Sequence, residues 1–232
     1  MTISYFVMFE NQAHPDTRIS ETDKAGITDI LKRTPGLVKA HLFTPTTADG
    51  PFNSDGPPPQ FGLQLYFSNI EALEAVIGAT GHLQALAAPD SWPSLRGTVV
   101  TQQAMLTRTF PVPEPRERAE NETRCSYLVH YPGHAEDLNA WLRYYLTHHP
   151  QLMKFMPGIR EIEMFTRVDW YDSMPWTRVD YMQRNKPVFD NPAALAASLV
   201  SPALAEMRAD YRKFPPFSGG NVHYPFITST IG

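Results

Sequence analysis

The sequence predicts an α+β fold in which two β-α-β-β-α-β units in one chain pack sheet to sheet as an intramolecular barrel. Three observations predict it. One constant shift, the one that carries Ser4 onto Ser126, aligns three separate segments of the chain. Each aligned half reads strand, helix, strand, strand, helix, strand. That order puts both helices on one sheet face and leaves the other bare, so two such faces in one chain can bury each other.

The shift lays "SYFVMFE" at 4–10 on "SYLVHYP" at 126–132, "TPGLVKAHLFT" at 34–44 on "MPGIREIEMFT" at 156–166, and "NIEALEAVI" at 69–77 on "NPAALAASL" at 191–199. Apolar periodicity can align one segment by chance, but not easily three in one register. The units are residues 1–110 and 123–232, joined by the polar, proline-rich stretch 111–122, "PVPEPRERAENE". Each first strand is a run rich in β-branched and aromatic residues, "ISYFVMF" and "CSYLVHY". A helical segment follows, and Pro-Gly then turns the chain into the second strand, "LVKAHLFT" or "IREIEMFTRV". The third strand is read at "FGLQLYFS", after a loop rich in Gly, Pro and Asp, and at "TRVDYMQR", after one rich in Trp, Tyr and Ser. Asn69 and Asn191 are N-caps for the second helix, with Pro192 at the first helical position of the later copy. "TVVTQQAMLTRTF" and "NVHYPFITST" close the units as fourth strands. This is the ferredoxin-like, or split βαβ, pattern.

Composition bounds the function. With 232 residues and 42% hydrophobic content the chain can bury a large core. A net charge of -4 and no basic run argue against nucleic acid or anionic lipid as partners. The N-terminal "MTISYFVMFENQ" does not read as a secretion signal, and no segment approaches the roughly 20 apolar residues of a membrane span, so a cytoplasmic location is expected. Cys125, the only cysteine, lies in an apolar run and reads as a buried structural thiol.

The later unit carries a further pattern. Trp141, Tyr145 and His149 stand four residues apart on a helix, followed by Leu152 and then Pro157-Gly158. These spacings resemble the EthD family of the dimeric α+β barrel superfamily, with Tyr145 where that family usually has tryptophan and Pro150 one residue, not two, after the histidine. The resemblance covers residues 125–232; in the first unit Ile27 takes the place of His149. It implies a small-molecule protein: an enzyme, or a carrier of a small molecule or heme, with a functional histidine at 149. Trp141 and Tyr145 share the face of His149 that points at the sheet. His149 is therefore the expected acid/base, with Tyr145 beside it. Trp141, His148, Tyr127, His130, Asp180 and His223 are candidate substrate contacts, His148 at the rim. Neighbouring strand residues point to opposite faces, so the sequence leaves open whether His130 and His223 meet the helices or the facing sheet. No metal site and no cofactor are expected: His148-His149 lacks ligand spacing, and "SGGN" at 218–221 is no phosphate loop.

The expected function is an enzyme acting on an aromatic or polyketide-like carbonyl compound in a helix-sheet cleft of the second unit. A non-catalytic small-molecule or heme-binding protein and a structural protein with filled clefts are the alternatives. A homodimer of the two-unit chain is the one protein partner considered.

Overall fold

The computed structural model describes residues 2–48, 55–88, 91–119 and 122–232. Residues 49–54 of the first Gly-Pro-Asp loop, and residues 120 and 121 of the proline-rich joint, lie outside the described residues. Nine strands are present, β1(Thr2–Glu10), β2(Leu37–Pro45), β3(Phe61–Phe67), β4(Val99–Phe110), β5(Arg124–Tyr131), β6(Ile159–Arg167), β7(Thr177–Arg178), β8(Gln183–Phe189) and β9(Val222–Ile231). The α-helices are α1(Glu21–Lys32), α2(Ile70–Ile77), α3(Leu138–Met153), α4(Pro192–Leu199) and α5(Pro202–Tyr211).

All strands but β7 form a closed antiparallel barrel of eight. The first half runs β4-β1-β3-β2 and the second β9-β5-β8-β6, the same order of strands in each. The halves also share edges: β2 pairs with β9 from Ala40↔Ile231 to Pro45↔Phe226, and β4 with β6 from Met105↔Arg167 to Phe110↔Ile162. The two bare faces expected from the sequence thus become the inside of one barrel, and hydrogen bonds seal both seams.

Closure buries both faces of most strands, and alternation sorts their side chains. Outward residues of β1 (Ile3, Tyr5, Val7, Phe9) pack under the first half's helices, and those of β5 (Cys125, Tyr127, Val129, Tyr131) under the second's. Phe6, Met8, Phe43, Met105, Leu128, Phe165 and Phe226 fill the barrel. Toward one end Lys186 Nζ lies 2.8 Å from Glu163 Oε2 and donates to Gln64 and Tyr66, whose hydroxyl also donates to Glu163. Burial raises the Glu163 pKa, but the charges of Lys186 and Lys39 and the hydrogen bonds from Lys186 and Tyr66 together hold the carboxyl below its ordinary value. Burial of the Cys125 thiol pushes its pKa up to about 12, which leaves it an inert core group.

The local signals act as expected. Gly36 and Gly158, at φ 71° and 74°, supply the left-handed turn before each second strand. Asn69 and Asn191 accept from the backbone N–H of Ala72 and Ala194 at 2.8 and 2.9 Å. Two expectations need correction. The third strand of the second half is Gln183–Phe189, not 177–184, of which only Thr177–Arg178 pairs elsewhere, in parallel with β4. "TRVDYM" alternates like a strand, whereas "QRNKPVF" looks polar because Arg184 and Lys186 point into the barrel, where their charge is masked from a hydropathy pattern. The helix opened by Asn191 stops at Leu199, and Pro202 starts another, α5.

The loops after the second strands cross over. Trp170, Met174 and Trp176, from the loop after β6, pack into the first half's outer core, with Trp170 5.7 Å from Tyr5 and Trp176 6.2 Å from Phe9. In the opposite direction, Ala48 and Asp55 of the first half reach the second half's core and β9.

Candidate active site

Helix α3 begins at Asp137, whose carboxylate accepts from the N–H of Ala140 at 2.9 Å, and continues through Pro150 to Met153. A proline there removes one intrahelical donor but does not end the helix. Trp141, Tyr145 and His149 are buried on the sheet-facing side, and Trp141 stacks on Tyr145 with centroids 4.9 Å apart at 15°. Phe214 meets the His149 ring edge-on at 5.2 Å and 80°. The imidazole is therefore held by packing before any ligand arrives.

His149 borders a cavity of about 240 Å³ between α3, α4, α5 and the outer face of β5, β8 and β9. That is slightly below the ~300–1,000 Å³ of drug-sized ligand sites and suits a compact one- to three-ring molecule. Its wall is mostly apolar, with Met153, Met156, Leu199, Leu204 and Met207 on one side and Tyr127, Tyr131, Asn185 and His223 on the other. Arg208 and Arg212, both exposed, add positive charge at the rim.

Each of the two histidines that line this hollow is paired with a carboxylate behind it. His149 Nδ1 lies 2.9 Å from Asp210 Oδ2, and Asp210 Oδ1 accepts from the Tyr144 hydroxyl at 2.9 Å. Burial works to raise the Asp210 pKa, but the hydrogen bonds from His149 and Tyr144 prevail and hold it below its ordinary value. An ionised carboxylate accepts only, so Nδ1 carries a proton and neutral His149 offers Nε2 as a base. On β9, His223 Nδ1 lies 2.6 Å from Asp55 Oδ2, whose pKa its hydrogen bonds depress against the opposing effect of burial. Asn221 Nδ2 sits 3.3 Å from His223 Nε2, whereas His149 Nε2 has no hydrogen-bond partner among the described residues. His149 is thus the ring with a nitrogen to spare.

The sequence-predicted residues divide. His149, Tyr127 and His223 line the cavity, and the Tyr127 and His223 rings stack at 5.5 Å and 22°. Tyr145 and Trp141 stand behind the wall: the Tyr145 hydroxyl takes a 2.6 Å hydrogen bond from the cavity residue Asn185, and burial raises its pKa well above the ordinary phenol value. His148 is exposed, stacked on Tyr144 at 4.3 Å. His130 points into the barrel, away from the cavity. Asp180 is an exposed partner of Arg167 at 2.7 Å, because the stretch expected to place it on a central strand is a surface loop. Sequence reasoning missed Asp210, Asp55 and Asn185. Asp210 follows the helix break at Pro202, and Asp55 comes from the other half, so no spacing within the α3 pattern reports either.

Comparison with known proteins shows the fold and stops there. No family model matches the chain, and no curated protein matches it. Among solved structures, an anthrone oxidase-like protein is similar over 99% of this chain and 92% of its own, with TM-score 0.66 and 11% identity. A monooxygenase-like protein from Lactobacillus acidophilus NCFM is similar over 98% of this chain and 93% of its own, with TM-score 0.54 and 11% identity. An EthD family protein from Bacillus halodurans C-125 is matched over 42% of this chain and 95% of its own at TM-score 0.34 and 17% identity, too slight a likeness to carry a family assignment. The chain has the α+β barrel fold, and none of its described helices is long and apolar enough to cross a membrane.

Proposed function

We propose that the chain is a small-molecule enzyme that removes a proton from a carbon next to a carbonyl in an aromatic or polyketide-like compound, with His149 as the base. The observation that carries this reading is the buried His149–Asp210 pair, whose free Nε2 belongs to a residue bordering an apolar cavity. Asp210 fixes the tautomer and stabilises the imidazolium formed on proton transfer, the positioning role a carboxylate plays behind a catalytic histidine. The C–H bond breaks, its proton passes to Nε2, and the electron pair delocalises onto the carbonyl oxygen as an enolate. Tyr127 and His223 form the opposite wall, and Tyr145 acts only through Asn185, which it orients. The similarity to an anthrone oxidase-like protein makes a fused-ring ketone the first compound to try.

Heme does not fit this reading. A cavity of about 240 Å³ falls short even of the usual small-ligand range, and a planar macrocycle would displace α5 together with Asp210. A structural protein with filled clefts fits no better, since the hollow beside His149 is open. We further infer that the halves descend from one duplicated EthD-like unit, on the strength of the common sequence shift and the common strand order.

The test is exchange of the acidic methylene protons of anthrone with solvent deuterium, followed by NMR. Wild type accelerates exchange and His149→Ala does not, while both bind the ketone. Equal exchange by the two proteins sinks the enzyme reading; binding with no exchange by either leaves a carrier.

A further inference from the structure

The second hollow of interest lies on the other side of β5, inside the barrel. Its volume is about 70 Å³, room for a few groups the size of water at ~10–15 Å³ each. It sits at the barrel end opposite the Lys186–Glu163 pair, among the ends of β1, β4, β5, β8 and β9. Arg184 and His130, direct partners across β8 and β5, form its inner wall; they are 1% and 5% exposed.

Arg184 is the anomaly. The Phe6 and Tyr181 rings lie 4.8 and 4.7 Å from its guanidinium carbon. Its Nη2 donates to Gln103 Oε1 at 3.3 Å, but Nε and Nη1 are buried with no hydrogen-bond partner, as is His130 Nδ1. No carboxylate among the described residues comes within ion-pair distance of it, although Glu10 borders the same hollow. Burial lowers the Arg184 pKa only to about 10, so the group stays charged at neutral pH. A buried charge without a counter-charge is unfavourable, so the site gains from a partner for those donors. The rest of the lining supplies hydroxyl donors, from Thr101, Tyr181 and Tyr224. The chamber is donor-rich, and its one acidic lining residue, Glu10, stands beyond ion-pair distance of Arg184, which leaves room for a small negative ion beside the guanidinium.

We propose that this end of the barrel is a binding site for a small monovalent anion, a halide, nitrate or formate-sized carboxylate, held by Arg184 with His130, Thr101 and the two tyrosine hydroxyls. Glu10 is the competing charge, half-buried at the rim; burial raises its pKa, against the pull of Arg184. The anion site and the His149 cavity lie on opposite faces of one sheet, so the proposal is independent of the proposed enzyme activity.

Bromide diffracted at its absorption edge from wild-type crystals grown without other halide gives a single buried anomalous peak beside Arg184. In solution, thermal unfolding in gluconate buffer rises saturably with added chloride, bromide, nitrate or formate, and does not with phosphate, which is too large. Arg184→Met weakens the anion response about tenfold or more, Thr101→Val weakens it less, and Glu10→Gln strengthens it. Halide without formate, or formate without halide, identifies which kind of anion the site takes. No saturable response to any of the four anions, a halide response without a buried peak, or a response identical in wild type, Thr101→Val and Glu10→Gln, overturns the proposal even where Arg184→Met fails to fold.

Discussion

The outer clefts of the two halves are built on the same strand order, yet one is stoppered and the other hollow. In the first half, Trp170, Met174 and Trp176 arrive from the loop after β6 and pack on Tyr5, Phe9 and the helices; the place of His149 is taken by Ile27, which is fully buried. A surface hollow of about 230 Å³ beside Trp92 and Trp176 has no histidine or carboxylate in its lining among the described residues. In the second half, the reciprocal loop contributes Asp55 instead of indoles, and the space under α3 stays open. The same crossing of loops has therefore been used once to fill and once to equip. A single geometry serves opposite ends because the crossing residues, not the barrel, decide whether a cleft holds side chains or a ligand.

The largest effect expected from breaking this asymmetry is on catalysis. His149→Ala lowers the rate of proton exchange by about 10²- to 10⁴-fold, with a lower unfolding temperature because the buried Asp210 keeps only Tyr144 as a partner. Asp210→Asn leaves the imidazole in place but removes the acceptor that sets its tautomer, and a loss in the same range follows, up to about 10⁴-fold, the size seen when the carboxylate behind a catalytic histidine becomes an amide. The same variant has an acid signature. The folded-state pKa of Asp210 lies below its unfolded value of about 3.9, so its contribution to stability is complete at neutral pH and disappears as the pH falls through the lower, folded value. Unfolding temperatures measured from about pH 7 down to about pH 3 therefore decline less steeply for Asp210→Asn than for wild type. On the stoppered side, Met174→Ala costs about 2–5 kcal/mol of stability in denaturant unfolding while ketone affinity is unchanged. His148→Ala, at the exposed side of α3, changes stability by less than about 0.5 kcal/mol and leaves exchange rates intact.

Much of this architecture was legible from residues alone, because turns, caps and apolar alternation are local signals. Pro35-Gly36, Pro157-Gly158, Asn69 and Asn191 mark their boundaries chemically, and the third strand of the second half, read at 177–184, lies at Gln183–Phe189, where the shift that aligns the other segments would have put it. Pattern reading within that half went astray since Arg184 and Lys186 face inward and look like surface residues in sequence. His149 could be named from its helix face together with the EthD resemblance, whereas Tyr127 and His223 were candidates by strand position alone, with the face of His223 left open by the sequence. Asp210 and Asp55 could not: one depends on a helix break at Pro202 and the other on a loop crossing from the first half, and long-range placement of that kind leaves no periodic trace. Tyr145 and Trp141 share the correct helix face but lie too deep on it, a distinction that depends on how far β5 and β8 stand from α3.

Sealing both seams has a consequence for self-association. In the ring of eight strands each strand is paired on both sides, and among the described residues the two-residue β7 beside β4 is the one strand left with an open edge. Strand addition by another molecule is thereby confined to that short edge once the hydrogen bonds between β4 and β6 form, too small a margin for edge-to-edge templating.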